Sequence, residues 1–574
     1  MTFIFFFWQK NKIKFFLLLI FLFHTLNNFT IVSQDNTPFI YDELGYYQYS
    51  LMAHQAFTLP KLSFKERFEL IFPPKQIYPF LRNFITLPFF LLLRPSPQVA
   101  ILSNLFYLFI LIFSLYGIGK ILDNEITGLV ASFLVSFYPG IFGFSRVYML
   151  DFPITALVTL SIFFMLKSEY FQNKKWTFLL GLSIAIGLLH KQTFLIYFVG
   201  PFLIYLFQTV YRFKKITLMQ IIFLIFLPLI ITLPWYLTNY FGQLYLLKGG
   251  RGLNLFNLYT FTILNPIQFQ LYPIFTLIFY FCLILYFLKP HYRAIIFGWL
   301  SFPILFYLFF TFEDFPRHTL PVLPATGLVI AYVLNHFLEY INIDKNGLQK
   351  IKQSLIAVLF IFCIFQFLLI SYKEPKDNFT TLDFAYRIHR TGMLHPNRFA
   401  YSPVEEIVAL LAQESKEKRI NIGLDIPTEF NNFLKFEIIK KNFKNITCRN
   451  LLLRFDLEKN REGKFKIYSQ VEDCDYLLIP EPIEKYSDAL LSYEQLINSK
   501  FRHQLSFFYA FFLREKNEKI SFPQAKKLFF KLAHDIEKYK NNFELIQKIT
   551  LPRNIFKSPY PRLYYLYRKI NYKI

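Results

Sequence analysis

Two adjacent carboxylates, Asp42 and Glu43, follow the first long apolar run of the chain and precede Tyr46, Tyr47 and Tyr49. A pair of acids outside an apolar run is most simply a solvated surface feature. A carboxylate in a partly dry aromatic cleft can instead act as a general base that accepts a proton from an attacking hydroxyl. We therefore predict that Asp42 is a catalytic base and that Glu43 positions the substrate or its neighbour.

A third carboxylate, Asp151, stands in the segment 146–153 with Arg146 before it and a proline two residues after it. A proline at that distance is typical of a helix start, so Asp151 could cap a helix N-terminus. It could also orient an acceptor, or share a divalent metal with Asp42 or Glu43. The sequence leaves these roles open, and a divalent metal is a possible cofactor that no motif requires.

Short turns between predicted helices retain basic residues at three places, namely Arg146, Lys191, and Arg317 with His318. Each place has a local explanation, such as a lysine that reaches the membrane surface or an ion pair with acids nearby in the sequence. A cation at the membrane boundary can also neutralise a lipid phosphate and stabilise it as a leaving group. We therefore predict that Lys191, Arg317, His318 and Arg146 bind the phosphate of a lipid donor.

The composition indicates a polytopic membrane protein. Of its 574 residues, 54% are hydrophobic and 21% aromatic, whereas soluble domains are about 45–50% apolar even when glycine is counted. The excess lies in repeated runs long enough to span a bilayer, which takes about 20 residues. The formal net charge of +24 is explained by topology and by contact with anionic membrane lipids, so we predict no nucleic-acid partner.

We predict about 11 transmembrane helices, with a cytoplasmic N-terminus, in the plasma (inner) membrane. The apolar segment 77–93 is short and contains Arg82 and Pro88, so it is expected to lie on the membrane surface. If this segment does not cross the membrane, every inner loop is cationic, as the positive-inside rule requires. The predicted spans are 15–32, 98–119, 126–143, 150–166, 176–189, 194–210, 217–236, 270–288, 294–312, 319–337 and 353–371.

These spans divide the chain into a membrane-embedded catalytic domain, 1–371, and a C-terminal soluble α/β domain, 372–574. The first outer loop, 33–97, holds the acidic pair and surface helices. After residue 372 the pattern predicts a helix over 402–418, strands over 420–426, 464–470 and 476–480, and a helix start at 521–524. The odd number of spans places this second domain outside the cell, where Cys448 and Cys474 could form a disulfide.

The order of the motifs resembles the GT-C glycosyltransferases of the protein-mannosyltransferase and aminoarabinose-transferase type. The motifs that carry the resemblance are the acidic pair 42–43, the segment 146–153, His190-Lys191, Pro234-Trp235-Tyr236 and the segment 317–324. The resemblance spans roughly 15–340. Two positions differ from the family pattern, because His318 stands where tyrosine is expected and His190 stands where a small or hydroxyl residue often precedes the lysine.

The resemblance implies an inverting transferase that takes a hexose or pentose from a polyprenyl-phosphate donor on the extracytoplasmic face. It implies that Asp42 is the base and that Lys191 and Arg317 hold the donor phosphate. The acceptor could be a lipid, a glycan or a protein, as in lipid A modification or protein glycosylation. Two alternatives remain: a transporter or flippase of lipid-linked sugars, and a polymerase or ligase that uses lipid-diphosphate-linked oligosaccharides.

Overall fold

The computed structural model of the chain is mainly helical. The residues that it describes are 2–35, 39, 41–73, 78–212, 216–239, 258–287, 293–310, 316–340, 345–372, 402–415, 419–424, 434, 437–439, 441, 445–450, 474–479, 538, 540–550 and 563–570. The predicted strand 464–470 and the predicted helix start at 521–524 lie outside these residues. So do Glu313 and Asp314, the nearby acids expected to form a local ion pair with Arg317 or His318.

The described chain up to residue 144 forms eight α-helices. They are α1 (Thr2–Gln34), α2 (Tyr41–Thr58), α3 (Phe64–Ile71), α4 (Leu81–Leu93), α5 (Pro97–Leu102), α6 (Asn104–Leu122), α7 (Glu125–Ser136) and α8 (Pro139–Phe144). Polar caps set several of the starts: the side chains of Ser96, Asn124 and Asn173 accept hydrogen bonds from backbone N–H groups in the first turn of α5, of α7 and of the later helix Lys174–Leu188. These bonds satisfy donors that a helix start otherwise leaves unpaired.

Nine more α-helices follow in the described chain up to residue 372. They are α9 (Asp151–Lys167), α10 (Lys174–Leu188), α11 (Phe194–Tyr211), α12 (Leu218–Ile221), α13 (Leu227–Thr238), α14 (Tyr272–Phe287), α15 (Arg293–Phe310), α16 (Leu323–Tyr340) and α17 (Lys345–Tyr372). Shorter π-helical segments cover Ile222–Phe226, Thr260–Leu264 and Pro266–Gln270, and a 3₁₀ helix covers Pro316–Val322.

Six helices of the described chain are long and apolar enough to cross a membrane. They are Lys12–Gln34, Pro97–Leu122, Phe194–Tyr211, Leu218–Thr238, Arg317–His336 and Gln353–Tyr372. Each of the predicted spans coincides with one helix or with consecutive helical segments, which confirms the mainly helical architecture. The total of 11 spans stays a prediction, because several of the other helices are shorter than a full crossing.

The segment that was expected to lie on the membrane surface contains α4. This helix has 13 residues and is therefore about 20 Å long, which is less than the ~30 Å of a hydrocarbon core. Its N-terminal half buries Arg82, Asn83 and Thr86, while Leu91, Leu92 and Leu93 at its end are exposed. The helix is thus anchored in the protein by a polar face.

The centre of the helical part is formed by α6, which packs against α7 and α9, while α7 also packs against α16. The approach of α6 to α7 requires glycine, because a Cβ atom on Gly119 would lie 2.5 Å from the Cα atom of Gly128. The two helices therefore form a tight hairpin that turns at Asp123 and Asn124.

The chain groups into two compact units, one of residues 1–37 and 45–398 and the other of residues 38–44 and 399–574. The second unit contains α18 (Ser402–Glu414), a 3₁₀ turn (Lys540–Asn542) and five strands: β1 (Ile420–Leu424), β2 (Ile446–Asn450), β3 (Tyr476–Ile479), β4 (Phe543–Thr550) and β5 (Leu563–Lys569). The strand order is β2-β1-β3-β5-β4, with β1 parallel to β2 and β3 and the other pairs antiparallel.

The core of the second unit forms where α18 covers the sheet. Ile407, Val408 and Leu411 of the helix cluster with Ile422 of β1 and Leu478 of β3. Alternating apolar residues along the strands supply the sheet side of this core.

Cys448 and Cys474 are not joined by a disulfide. Cys448 lies on β2 opposite Ile422, and Cys474 lies two residues before Tyr476, which pairs with the other edge of β1 at Ile422. The two cysteines therefore lie on opposite sides of β1, in or beside the two strands that flank it. Strands two positions apart in a sheet are about 10 Å apart. That exceeds the ~7 Å between Cα atoms that a disulfide can bridge.

Candidate functional site

The first unit holds a nearly buried ion pair between Lys191 and Asp151. The Lys191 Nζ lies 2.9 Å from the Asp151 Oδ1, and only 9% and 6% of the two side chains are exposed. Asp151 is the first residue of α9, and Lys191 lies in the turn between α10 and α11. The helix-cap interpretation of Asp151 was wrong, because Leu150 occupies the cap position and makes no side-chain cap bond.

The 3₁₀ helix Pro316–Val322 brings two further predicted residues to this pair. The Asp151 carboxylate interacts electrostatically with Lys191, with Arg317 and with His318. The structure therefore gathers three other predicted site residues, from two other parts of the sequence, around the Asp151 carboxylate. Such a cluster in a partly enclosed place is a candidate functional site.

Two tyrosines complete this side of the site, and sequence reasoning missed both. The Tyr197 hydroxyl donates a hydrogen bond to the His318 carbonyl oxygen and lies 2.6 Å from the Tyr307 hydroxyl. Since the Tyr197 hydroxyl proton is donated to the His318 carbonyl, the Tyr307 hydroxyl must donate to the Tyr197 oxygen. The Tyr307 ring stacks parallel to His318, with centroids 5.7 Å apart and an interplanar angle of 4°. Both phenols also interact electrostatically with Asp151.

Another pair of tyrosines, Tyr78 and Tyr46, extends from Lys191. The Lys191 Nζ stands 5.7 Å from the centre of the Tyr78 ring, within cation–π range. The Tyr78 ring packs edge-on against Tyr46, with centroids 5.6 Å apart. Tyr46 belongs to α2, the helix that begins with the acidic pair, so α2 contributes an aromatic side chain to the surroundings of the lysine.

Asp42 and Glu43 lie in the first turn of α2. The Glu43 side chain is buried and Asp42 is half-buried, so neither is a fully solvated surface acid. Tyr46 follows Asp42 by one helical turn, and residues one turn apart share a helix face. Residues 38–44 group with the second unit, and the acid–base role of Asp42 and Glu43 stays a prediction.

Arg146 has neighbours different from those of Lys191. Its Nε donates to the Asn28 Oδ1 at 3.0 Å and its Nη1 donates to the Ser371 Oγ at 3.1 Å. The guanidinium also lies over the rings of Phe142 and Phe367. Arg146 thus ties α1 and α17 to the segment that leads into α9, while its predicted role in phosphate binding stays untested.

The possible metal site was expected to involve Asp151 together with Asp42 or Glu43. Within the described ranges, no three side chains of His, Cys, Asp or Glu meet in a geometry that could hold a metal ion. The Asp151 oxygen that bonds Lys191 is occupied by an ammonium group. A metal at this carboxylate stays a prediction.

Comparison with known proteins gives one family match. Residues 78–237 match the model of a family described as Dolichyl-phosphate-mannose-protein mannosyltransferase, and this range includes both Asp151 and Lys191. It covers less than a third of the chain. No curated protein sequence matches.

Solved structures show a similar fold. The apo structure of ArnT from Cupriavidus metallidurans is 12% identical, with 82% of this chain and 94% of that chain covered and a TM-score of 0.51. ArnT bound to undecaprenyl phosphate is also 12% identical, over 74% and 75% of the two chains, with a TM-score of 0.46. The archaeal oligosaccharyltransferase AglB from Archaeoglobus fulgidus, in complex with an inhibitory peptide and a dolichol-phosphate, is 9% identical over 97% and 88%, with a TM-score of 0.42.

At these identities the structural likeness concerns the fold alone. Together with the family match, it confirms the resemblance to GT-C glycosyltransferases that the sequence motifs indicated. The helical part of this chain therefore has a GT-C-like fold, and the Lys191–Asp151 pair lies within the matched segment.

Proposed function

We propose that this protein is an inverting glycosyltransferase that moves a sugar from a polyprenyl-phosphate donor to an acceptor on the extracytoplasmic face of the membrane. The observation that carries the proposal is the nearly buried Lys191–Asp151 pair beside Arg317 and His318 in a GT-C-like chain. A hydrophobic donor tail would lie between helices, and its phosphate would reach the cationic cluster.

The charge of the cluster suits a monophosphate donor. Lys191 and Arg317 carry two positive charges and Asp151 carries one negative charge, so these three side chains leave one positive charge over. A sugar linked to a polyprenyl monophosphate is a phosphodiester with a single negative charge, which this excess would neutralise. A lipid diphosphate carries more negative charge, so the balance favours the transferase over the ligase alternative.

The reaction is a single displacement at the anomeric carbon. The acceptor hydroxyl oxygen forms the new C–O bond while the bond between that carbon and the phosphate oxygen breaks, and the electron pair leaves with the polyprenyl phosphate. Asp42 accepts the hydroxyl proton, and Glu43 positions the acceptor or Asp42. Lys191 and Arg317 stabilise the charge that develops on the departing phosphate, which is where electrostatic catalysis is most effective.

The test compares cells that lack the gene with cells complemented by the wild type, by Asp42→Asn or by Glu69→Gln. Mass spectrometry of envelope lipids and glycans should show a glycosylated product that vanishes on deletion and returns with the wild type. Removal of a general base typically costs about 10²–10⁴ in rate, so Asp42→Asn should leave the product absent. Glu69 is an exposed acid of α3, and Glu69→Gln should restore the product fully.

Three other results would count against parts of this proposal. Full product from Asp42→Asn would remove Asp42 from the role of base. Movement of a lipid-linked sugar across proteoliposomes, without any new glycosidic bond, would identify a transporter instead. An unchanged envelope after deletion, in cells that express the protein, would count against the proposed function as a whole.

A further inference from the structure

Arg82 of α4 is a buried cation whose hydrogen bonding is incomplete. The side chain is 1% exposed, and its Nη2 donates to the Asn104 Oδ1 at 2.7 Å. Among the described residues, its Nε and Nη1 have no hydrogen-bond partner. The guanidinium instead lies 4.3 Å from the ring centre of Tyr148 and 5.3 Å from that of Tyr107. Unpaired buried donors are costly, and such groups in native proteins call for an explanation.

Tyr107 contacts both Arg82 and His190, the residue before Lys191. Its hydroxyl bonds the Nε2 of His190, a fully buried side chain, and the two rings meet edge to face. The His190 Nδ1 lies 3.1 Å from the Ile186 carbonyl oxygen, which can only accept, so Nδ1 carries the proton. Burial lowers the pKa of His190 to about 3. The imidazole is therefore neutral, and Nε2 accepts the Tyr107 proton.

Three consecutive residues before Lys191 are held from different directions. The Tyr236 hydroxyl donates to the Leu188 carbonyl at 2.9 Å. The Leu81 backbone N–H at the start of α4 donates to the Leu189 carbonyl at 3.3 Å, and Tyr107 holds His190. The turn that carries Lys191 is thus fixed by α13, α4 and α6 together.

Tyr148 contacts Arg82 and lies in the segment before Asp151, the other member of the ion pair. It lies three residues before Asp151, and its hydroxyl is 2.7 Å from both the Ser50 Oγ and the Thr86 Oγ1. Asn104, the hydrogen-bond partner of Arg82, donates to the backbone carbonyls of residues 145 and 147 at 3.0 and 2.8 Å. The segment that leads into α9 is therefore fixed by the same side chains.

We propose that Arg82, Tyr107 and Tyr148 are positioning residues that set the placement of Lys191 against Asp151 for the donor phosphate. The proposal rests on the proposed function. These residues act through His190 and through the segment 145–150. A long, flexible lysine side chain can hold a phosphate in reacting geometry only if its backbone is fixed, and a displacement of about 1 Å can cost on the order of 10²-fold in rate.

The first experiment uses purified protein in detergent and a long-chain polyprenyl monophosphate as the probe. Tyr107→Phe keeps the ring and removes the hydroxyl, so His190 loses its donor. We expect the dissociation constant of the probe to rise by about tenfold, with the protein still folded by its thermal unfolding profile. Tyr116→Phe, further along the same helix α6, should leave the dissociation constant unchanged.

A double-mutant cycle then separates positioning from general damage. In a Lys191→Met background, Tyr107→Phe should have almost no further effect on probe binding, because the group that it positions is already absent. Equal losses in both backgrounds would overturn the proposal, and so would a Tyr107→Phe protein that binds the probe as the wild type does. If Tyr107→Phe does not fold, Tyr148→Phe serves in the same cycle with Asp151→Asn.

These results are distinguishable from failure of the proposed function. If Lys191→Met alone left probe binding and glycosyl transfer unchanged, the result would contradict the phosphate-binding role of the cluster, and with it the proposed function. If Lys191→Met weakened both measurably while Tyr107→Phe changed neither, the proposed function would stand and the positioning role would be lost.

Discussion

The Lys191–Asp151 pair combines a stabilising contact with a proposed functional one, and the two roles can be separated. Removal of one partner of a buried pair leaves an uncompensated charge and costs about 3–5 kcal/mol. We expect Lys191→Met and Asp151→Asn each to lower the thermal unfolding temperature in detergent. The double variant Lys191→Met/Asp151→Asn removes both charges and should recover most of the stability while it still lacks glycosyl transfer.

The matched control for this prediction is the Lys120–Glu125 pair, whose side chains are 52% and 48% exposed. Surface pairs contribute about 0–1 kcal/mol, so Lys120→Met/Glu125→Gln should leave both stability and transfer nearly unchanged. A double variant at Lys191 and Asp151 that regained transfer along with stability would show that the pair is structural only.

Ionisable residues were the part of this site that could be predicted from the sequence. Lys191, Asp151 and Arg317 lie at the ends of apolar runs on the predicted outer side, where basic residues are fewer than in the inner loops. Tyr197 and Tyr307 gave no such signal, because the chain contains 38 tyrosines and aromatic residues are expected throughout a membrane protein. Their importance depends on helix packing that brings α11 and α15 to His318.

At the level of helices, the carboxylate of Asp123 adds polar contacts to the packing of the α6–α7 hairpin against α16. Asp123 at the turn accepts hydrogen bonds from Asn335 and His336 at 2.9 Å each, and from Thr127. Burial raises the pKa of Asp123, but these hydrogen bonds outweigh it, so the pKa lies below the usual 3.8. Hydrogen bonds to a charged group contribute about 1.5–3 kcal/mol.

Asp123→Asn should therefore lower the unfolding temperature at neutral pH, because the charge that these donors stabilise is lost. Since the pKa is lowered on folding, the contribution of the ionised carboxylate is complete above pH 3.8 and declines as the pH falls further. The difference in unfolding temperature between the wild type and Asp123→Asn should shrink below that pH.

Glu169→Gln, at an exposed acid in another turn, should show neither the loss of stability nor the pH dependence. If the difference between the wild type and Asp123→Asn stayed constant down to pH 3, the ionised carboxylate would not be the group that stabilises this packing.

Helix positions in the membrane part could be predicted because runs of apolar residues are long there and their ends carry caps and charges. Strand pairing in the second unit could not. The strands β3 and β5 are neighbours, with Tyr476 opposite Arg568, although they are far apart in the chain. The composition of a short apolar stretch such as β1 indicates a strand. Its neighbours in the sheet depend on packing against α18, and no local sequence pattern indicates that packing.

For the whole molecule, the proposed function depends on topology. The proposed base in α2 and the Lys191 turn can serve one reaction only if they face the same side of the membrane. That condition holds if α4 does not cross. Its length of about 20 Å and its buried polar residues Arg82, Asn83 and Thr86 favour an anchored helix that stays on one side.

Membrane-impermeant maleimide labelling of intact cells tests this arrangement. In a variant without the four native cysteines, a cysteine is placed at Gln48 in α2 or at Gln172 in the turn after α9, both of which are exposed. With α4 on the surface, Gln48 lies outside and Gln172 inside, so only Gln48→Cys should react until the cells are permeabilised. Reaction at both positions in intact cells would mean that a helix between them crosses differently, and Asp42 could not then serve the Lys191 site.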